Sequence, residues 1–263
     1  MSETAPILLV ETRGHIRLLT INRPERMNSL SPEMSDALVE AFVEAGADPE
    51  VRVIVLTAVG DRAFCAGADL KARAQEDAAG KPFQPLLSRV QRYLYEVVYE
   101  TIKPTIAALN GPAVAGGMEL ALACDIRVAA DHVTLGLPEA KRGKGAHFAN
   151  VMLPRMVPTG IAFEMLYLGE YISAQEARQW GLVNRVVPDD QLLTAALGVA
   201  RQLAEGPAAI GMIRRLVWAS LDASWTEQLN NERHAQRVAG KTEDFREGVA
   251  AFLQKRPAAF KGR

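Results

Sequence analysis

Cysteine, aromatic residues and an excess of either charge are all scarce in this chain. Its 263 residues include two cysteines, Cys65 and Cys124, with no CxxC or Cys/His ligand spacing. Neither a disulfide framework nor a metal site is expected, and a reducing cytoplasm fits best. The 30 Lys and Arg face 31 Asp and Glu, for a net charge of -1. No global field therefore draws the molecule to nucleic acid or an anionic membrane, and any anionic partner must be recognised locally. No apolar run approaches the roughly 18 residues of a membrane span. The opening MSETAPILLVE is too acidic, and its apolar run too short, for a signal peptide. There is no GxSxG elbow, and GKGAHF at 143–148 lacks the third glycine of a dinucleotide fingerprint, so serine hydrolysis and hydride transfer lose support.

What is present begins with length and a hydrophobic content of 49%, enough for one large domain or one and a half. Residues 7–10 and 15–21, separated by Thr12, Arg13 and Gly14, predict a hairpin. Ser31 and Pro32 before Met34, Leu38, Val39 and Phe42 predict a capped amphipathic helix ending near Gly46. The run at 52–58 predicts a strand buried on both faces. A helix is expected over 86–102, then a strand from Pro104 with an Asn-Gly-Pro turn, then a short buried helix opened by Gly116 and Gly117. Strands are expected at 125–129 and 133–137. From about Asn150 the chain predicts mainly helices, with Ser173 as a cap, Gly181 as a stop and a short strand after it. Three or four amphipathic helices follow over 190–253. No low-complexity linker appears, so a core over 1–200 and a helical segment over 201–263 packed on it are expected.

Few residues offer chemistry. Cys65 has no His or Lys beside it in sequence and is expected to be a small buried residue. His15 and His132 border strands and fit surface or packing roles. CAGAD at 65–69 follows a predicted buried strand, where a glycine among small residues lets main-chain N–H groups approach a ligand. Gly116 and Gly117 open a helix whose first N–H groups are unpaired and lie at the positive end of its dipole. Either feature alone is also what an ordinary turn requires. Together they supply two sets of donors that could converge on one developing negative oxygen. Glu119 lies in the first turn of an otherwise apolar helix, where burying a charge is costly; a dipole-favoured surface Glu is the alternative. Glu139 follows Pro138 at the end of an apolar strand, and a plain loop carboxylate is its alternative.

Several segments taken in order carry a resemblance: AFCAGADL, NGPAVAGGMELALACDIRVAADHVTLGLPEAKRG, QEARQWGLVNRVVP and the terminal EGVAAFLQKRPAAFKGR, with RPERMNSLS near the start. Across nearly its whole length the chain resembles the enoyl-CoA hydratase/isomerase (crotonase) family. That resemblance implies an α/β fold, a crotonase-like spiral of repeated ββα units with a helical C-terminal segment used for trimer assembly, as a homotrimer or homohexamer. It also implies an acyl-CoA thioester substrate, with no metal and no separate cofactor because coenzyme A enters as part of the substrate. Nucleic acid and membrane are not expected partners.

Residue by residue, the resemblance places the thioester oxygen on the N–H groups of Ala68 and Gly116. It assigns Glu119 and Glu139 as the catalytic acid/base pair and aligns Ala68, Asp69, Leu70 and Lys71 with the stretch that contacts coenzyme A. Arg26 and Lys71 are candidate phosphate partners, as are the basic residues Lys255, Arg256 and Lys261. Phe260 and Lys261 match positions that reach the coenzyme of a neighbouring subunit. The implied reaction is addition of water across the double bond of a 2-enoyl-CoA, with Glu119 activating the water and Glu139 protonating Cα. One segment departs from the pattern: after Glu139 the usual Gly-Pro-Gly-rich loop is replaced by Lys144, Gly145, Ala146, His147 and Phe148, and His147 could bind a polar acyl substituent. The altered loop keeps a double-bond isomerase open as the alternative, and a non-catalytic acyl-CoA or RNA binder as a third reading.

Overall fold

The structure, a computed structural model, describes residues 5–69 and 93–263. The expected hairpin is present: β1 (Leu8–Arg13) pairs antiparallel with β2 (Ile16–Ile21) around Gly14, whose φ of +59° suits glycine. β1 is a sheet edge, and the Glu11–Arg13 ion pair at 2.7 Å puts charge where another strand could otherwise add. α1 (Pro32–Ala47) starts where the Ser31 hydroxyl accepts the Met34 N–H at 3.3 Å, and it buries Met34, Leu38, Phe42 and Ala45. β3 (Val53–Ala58) and β4 (Thr105–Leu109) are buried at every residue, as a strand covered on both faces must be.

After α2 (Leu94–Glu100), the chain alternates between two sheets. It passes through β4, β5 (Ala113–Val114), α3 (Gly116–Ala123), β6 (Ile126–Ala130) and β7 (Thr134–Gly136). Then come α4 (Ala149–Met156), α5 (Thr159–Leu168), β8 (Tyr171–Ser173), α6 (Ala174–Gln179) and β9 (Arg185–Val187). One sheet has the order β1-β2-β3-β4-β6-β9, parallel from β2 onward; the other has the order β5-β7-β8. Single-residue bridges, Leu30 to Ala68 and Cys65 to Ala113, continue the pattern through the earlier turns. Each turn therefore lays one long strand in the first sheet and one short extended stretch beside the previous turn's, which is a spiral of strand-strand-helix units.

The chain closes with α7 (Leu192–Ala204), α8 (Ala209–Ala219), α9 (Trp225–Ala239) and α10 (Glu243–Gln254). α7 lies on β3, β4 and β6 and buries Leu192, Ala196, Leu197, Val199 and Ala200. The boundary expected at residue 200 falls inside this helix. Among the described residues no helix is long and apolar enough to cross a membrane.

Three local expectations shift. The helix expected over 86–102 stops at Glu100, because Pro104 disfavours helical backbone before it and the chain must turn into β4; residues 86–92 lie outside the described residues. β6 begins at Ile126 because Asp125 is engaged elsewhere. Its carboxylate accepts the Thr105 N–H at 2.8 Å, Arg214 Nε at 2.7 Å and Trp218 Nε1 at 2.8 Å, which pins α8 to the sheet. β8 was not foreseen, since three residues carry too little period to register as a strand; it pairs antiparallel with β7.

Candidate active site

Two backbone donors are brought side by side by glycine packing. Cys65 accepts the Val114 N–H at 3.0 Å and donates to the Pro112 carbonyl at 3.3 Å, which ties residues 65–68 to β5. Leu30 donates to Gly67 at 2.8 Å and accepts from Asp69 at 3.0 Å. In a parallel pairing the intervening residue turns its own N–H away from the partner, so the Ala68 N–H faces away from Leu30. Gly67 has φ +84°, and a Cβ on it would lie 2.9 Å from the Ala115 Cβ and 3.0 Å from the Gly116 nitrogen. A Cβ on Gly117 would lie 2.0 Å from the Cys65 carbonyl oxygen, so α3 can start against this loop only with glycine there.

Ala115 completes the arrangement at a conformational cost. It is a non-glycine residue at φ 54°, ψ -125°, held by donation to the Gly136 carbonyl at 2.9 Å, and it aims the first N–H of α3 out of the helix. Among the described residues neither the Ala68 nor the Gly116 N–H has an acceptor. Two unspent donors separated by a glycine contact can hold one oxygen that gains negative charge.

The two carboxylates sit in unlike environments. Glu119, 4% exposed on the wholly buried α3, accepts the Ala149 N–H at 2.9 Å, the first amide of α4. Glu139 lies in the 3-10 turn Pro138–Arg142 directly after β7 and Leu137. Burial pushes its carboxyl above the ordinary range; its own N–H, Arg142 and Lys144 oppose this, and the Glu119 charge adds to it. Its Oε2 is buried without a partner, so the protonated form suits it. The pair therefore has one member equipped as an acceptor and one as a proton carrier.

The remaining candidates divide. Asp69 forms a partly buried ion pair with Arg23 at 3.1 Å, so its carboxylate orients the loop beside Ala68. Arg26 is exposed at the end of the 3-10 helix Pro24–Arg26. His147 is exposed with its ring 4.8 Å from that of Tyr93. Phe260 and Lys261 lie in the C-terminal tail: Phe260 packs on Gly248, and the Lys261 N–H donates to Asp244 at 2.6 Å. Leu70 and Lys71 lie outside the described residues. Cys65 is fully buried and its thiol is pushed up to about 12 by burial, so no thiolate nucleophile forms there.

Three contributors received no role from the sequence. Asn28, 1% exposed at φ 53°, accepts the Arg23 N–H at 3.0 Å and donates to Val59 and Ala63 at 3.0 and 2.7 Å, joining the loops that precede the donors. Asn28 lies within the RPERMNSLS segment that carries the family resemblance, and the tolerance of Asn for left-handed backbone is a second signal. Tyr95 and Phe148, with rings 5.8 Å apart, flank Glu119 and its Ala149 partner. In sequence Tyr95 stands between Leu94 and Glu96, and Phe148 between His147 and Ala149, contexts that a packing aromatic also has.

The Enoyl-CoA hydratase/isomerase family profile matches residues 11–263. The (E)-benzylidenesuccinyl-CoA hydratase of Thauera aromatica is 36% identical over 264 residues, covering 98% of this chain and 99% of that protein. The carnitinyl-CoA dehydratase of Salmonella arizonae is 37% identical over 269 residues, covering 100% of both. Among solved structures, the enoyl-CoA hydratase of Bacillus anthracis superposes with a TM-score of 0.90 at 34% identity, covering 98% of this chain and 100% of that one. The shared architecture is the crotonase fold, and the chain belongs to the enoyl-CoA hydratase/isomerase family.

Proposed function

We propose that the protein adds water across the double bond of a 2-enoyl-CoA thioester. The observation that carries this reading is the unlike pair of carboxylates, the buried Glu119 tethered to a helix amide and the half-buried Glu139 with one buried oxygen lacking a partner. The thioester oxygen sits on the Ala68 and Gly116 N–H groups, which stabilise the enolate-like charge as it forms; loss of one such donor costs on the order of 3 kcal/mol. Glu119 takes a proton from water as its oxygen attacks Cβ, and Glu139 delivers a proton to Cα. Microscopic reversibility gives dehydration with the roles exchanged. No metal or redox group is needed for these steps.

Coenzyme A phosphates are met by local cations, Arg26 and Lys71 of the same chain and Lys261 beside Phe260 of a neighbouring one. Assembly as a homotrimer or a dimer of trimers fits the C-terminal helices, where Phe252 and Leu253 are 83% and 74% exposed beside Phe245 and Val249. The net charge and the absence of a basic stripe argue against nucleic acid, and the cysteine usage suits the cytoplasm.

The test is loss of enoyl absorbance with crotonyl-CoA and longer, branched and aromatic 2-enoyl-CoA substrates, with product identification. Both Glu119→Gln and Glu139→Gln are expected to lose at least about 100-fold, the range of positioned acid/base groups. If Glu119→Gln retains activity while Glu139→Gln abolishes it, the protein is a double-bond isomerase, the reading that the altered 143–148 loop leaves as the alternative. If no acyl-CoA reacts, the enzymatic reading fails.

A further inference from the structure

A line of aromatic rings runs from the C-terminal helices to the backbone donors. Asp125 accepts the Trp218 Nε1–H at 2.8 Å; the Trp218 ring meets Tyr99 at a centroid distance of 4.7 Å, and Tyr99 meets Phe148 at 6.3 Å. Phe148 lies 5.8 Å from Tyr95, which stands one turn before Tyr99 on the same face of α2. At the end of the line a Cβ on Gly116 would lie 2.5 Å from Tyr95 Oη, so the phenol reaches the residue that supplies one candidate donor, and only glycine leaves it room. The residue after Phe148, Ala149, donates to Glu119. The Tyr95 and Phe148 rings thus span from the Gly116 donor to the carboxylate.

These rings are neither core nor loose surface. Tyr95, Tyr99, Phe148 and Trp218 are all half-buried, while Leu94, Val97 and Val98 bury another face of α2. Tilted and edge-on contacts at these distances are the geometry that aromatic pairs prefer, and a ring held on both sides by other rings keeps little torsional freedom. Such a wall cannot close around a thin flexible chain, but it offers fixed π faces and edges to a flat group. Tyr93 and His147, exposed and 4.8 Å apart, add a further ring pair on the solvent side.

We infer that Tyr95 and Phe148 form one wall of the acyl subsite and select a 2-enoyl-CoA whose Cβ carries a flat aryl group over one whose Cβ carries an alkyl group. This rests on the hydratase reading, in which the thioester oxygen meets the Ala68 and Gly116 N–H groups and Cβ lies by Glu119. Two adjoining rings are longer than the enoyl unit between those points, so part of the wall faces the substituent on Cβ. An aryl group there gains ring-to-ring contact beyond the burial that any apolar group of its size would gain.

Two saturated thioesters that cannot be hydrated, 3-phenylpropanoyl-CoA and 3-cyclohexylpropanoyl-CoA, separate ring recognition from bulk. Isothermal titration calorimetry with the parent should give a dissociation constant about threefold to tenfold lower for the phenyl compound, the worth of one aromatic pair. Phe148→Leu keeps an apolar side chain and should bring the two constants within about twofold. Tyr95→Leu should do the same, and it carries the test where Phe148→Leu fails to fold. Equal constants in the parent overturn the inference without any variant, and so does a phenyl preference that either folded variant retains. In turnover, both variants should lower kcat/KM for 3-phenylpropenoyl-CoA relative to 3-cyclohexylpropenoyl-CoA by the same factor. Failure of the parent to hydrate any enoyl-CoA, with the phenyl preference present and lost in the variants, overturns the hydratase reading and leaves the aromatic wall standing. Hydration by a parent that binds both compounds equally overturns the wall alone.

Discussion

Gly67 approaches Gly116 so closely that a side-chain carbon on the first would meet the nitrogen of the second at 3.0 Å. The separation of the Ala68 and Gly116 N–H groups is thus set by a contact that excludes every side chain. Gly67→Ala introduces that carbon at φ +84°, a conformation costing an L-residue roughly 1–2 kcal/mol. It is expected to cut kcat/KM with an enoyl-CoA at least about 100-fold, comparable to loss of one donor, while far-ultraviolet circular dichroism stays native. Activity within twofold of the parent would show that donor spacing does not limit the reaction.

Glu139 ties the stability of the fold to pH. Burial raises its folded-state pKa, so its protonated form stabilises the fold fully below the ordinary carboxyl value and that contribution is lost as pH rises through the raised one. Glu139→Gln removes the loss. Melting temperatures should therefore be higher for Glu139→Gln than for the parent at pH 7 to 8, with the gap closing toward about pH 4. An equal gap at both ends of that range would refute the assignment.

Asp244 governs the tail. Burial acts to raise its carboxyl, but the N–H groups of Lys261, Ala208, Gly262 and Arg263 outweigh burial and hold it below the usual range. A depressed carboxyl contributes stability above its unfolded value and loses it as pH falls through the folded one, here below about pH 4. Asp244→Asn should release residues 261–263, seen as faster amide exchange there at neutral pH, with the parent approaching the same rates in acid. Unchanged exchange would show that the tail is held by other contacts.

Asp125 is the anchor between sheet and C-terminal helices. It is paired with Arg214 and Trp218 in a partly buried network, and removing one member of such a network costs about 3 kcal/mol. Asp125→Ala should lower the urea midpoint accordingly, without a direct effect on the carboxylate pair. A shift under about 0.5 kcal/mol, ordinary for surface sites, would count against the anchor.

Legibility followed periodicity and chemical peculiarity. The strands at 53–58 and 105–109 announced themselves as unbroken apolar runs, and Ser31 and Ser173 as caps, because each signal is local. Glu119 stood out because a charge in an apolar helix is anomalous wherever the helix lies. The order of turns that sets Cys65 beside Ala113 and Leu30 beside Ala68 involves pairings between distant segments, which periodicity does not encode; the family resemblance supplied the spiral. Tyr95 was invisible for a related reason. Its meaning comes from Gly116 and Phe148, and an aromatic in a helix is core until its neighbours are known.

The helix that carries Tyr95 borrows its ending from far along the chain. The Arg214 guanidinium donates to the carbonyls of Val98, at 3.2 Å, Tyr99, at 3.0 Å, and Thr101, closing the last turn of α2. During synthesis those carbonyls lack the Arg214 donor until residue 214 has emerged, well after Ala68, Gly116, Glu119 and Glu139. The candidate site is thus complete as a list of residues well before it is complete as a geometry, and a chain cut before α8 would carry those residues without the contacts that close α2.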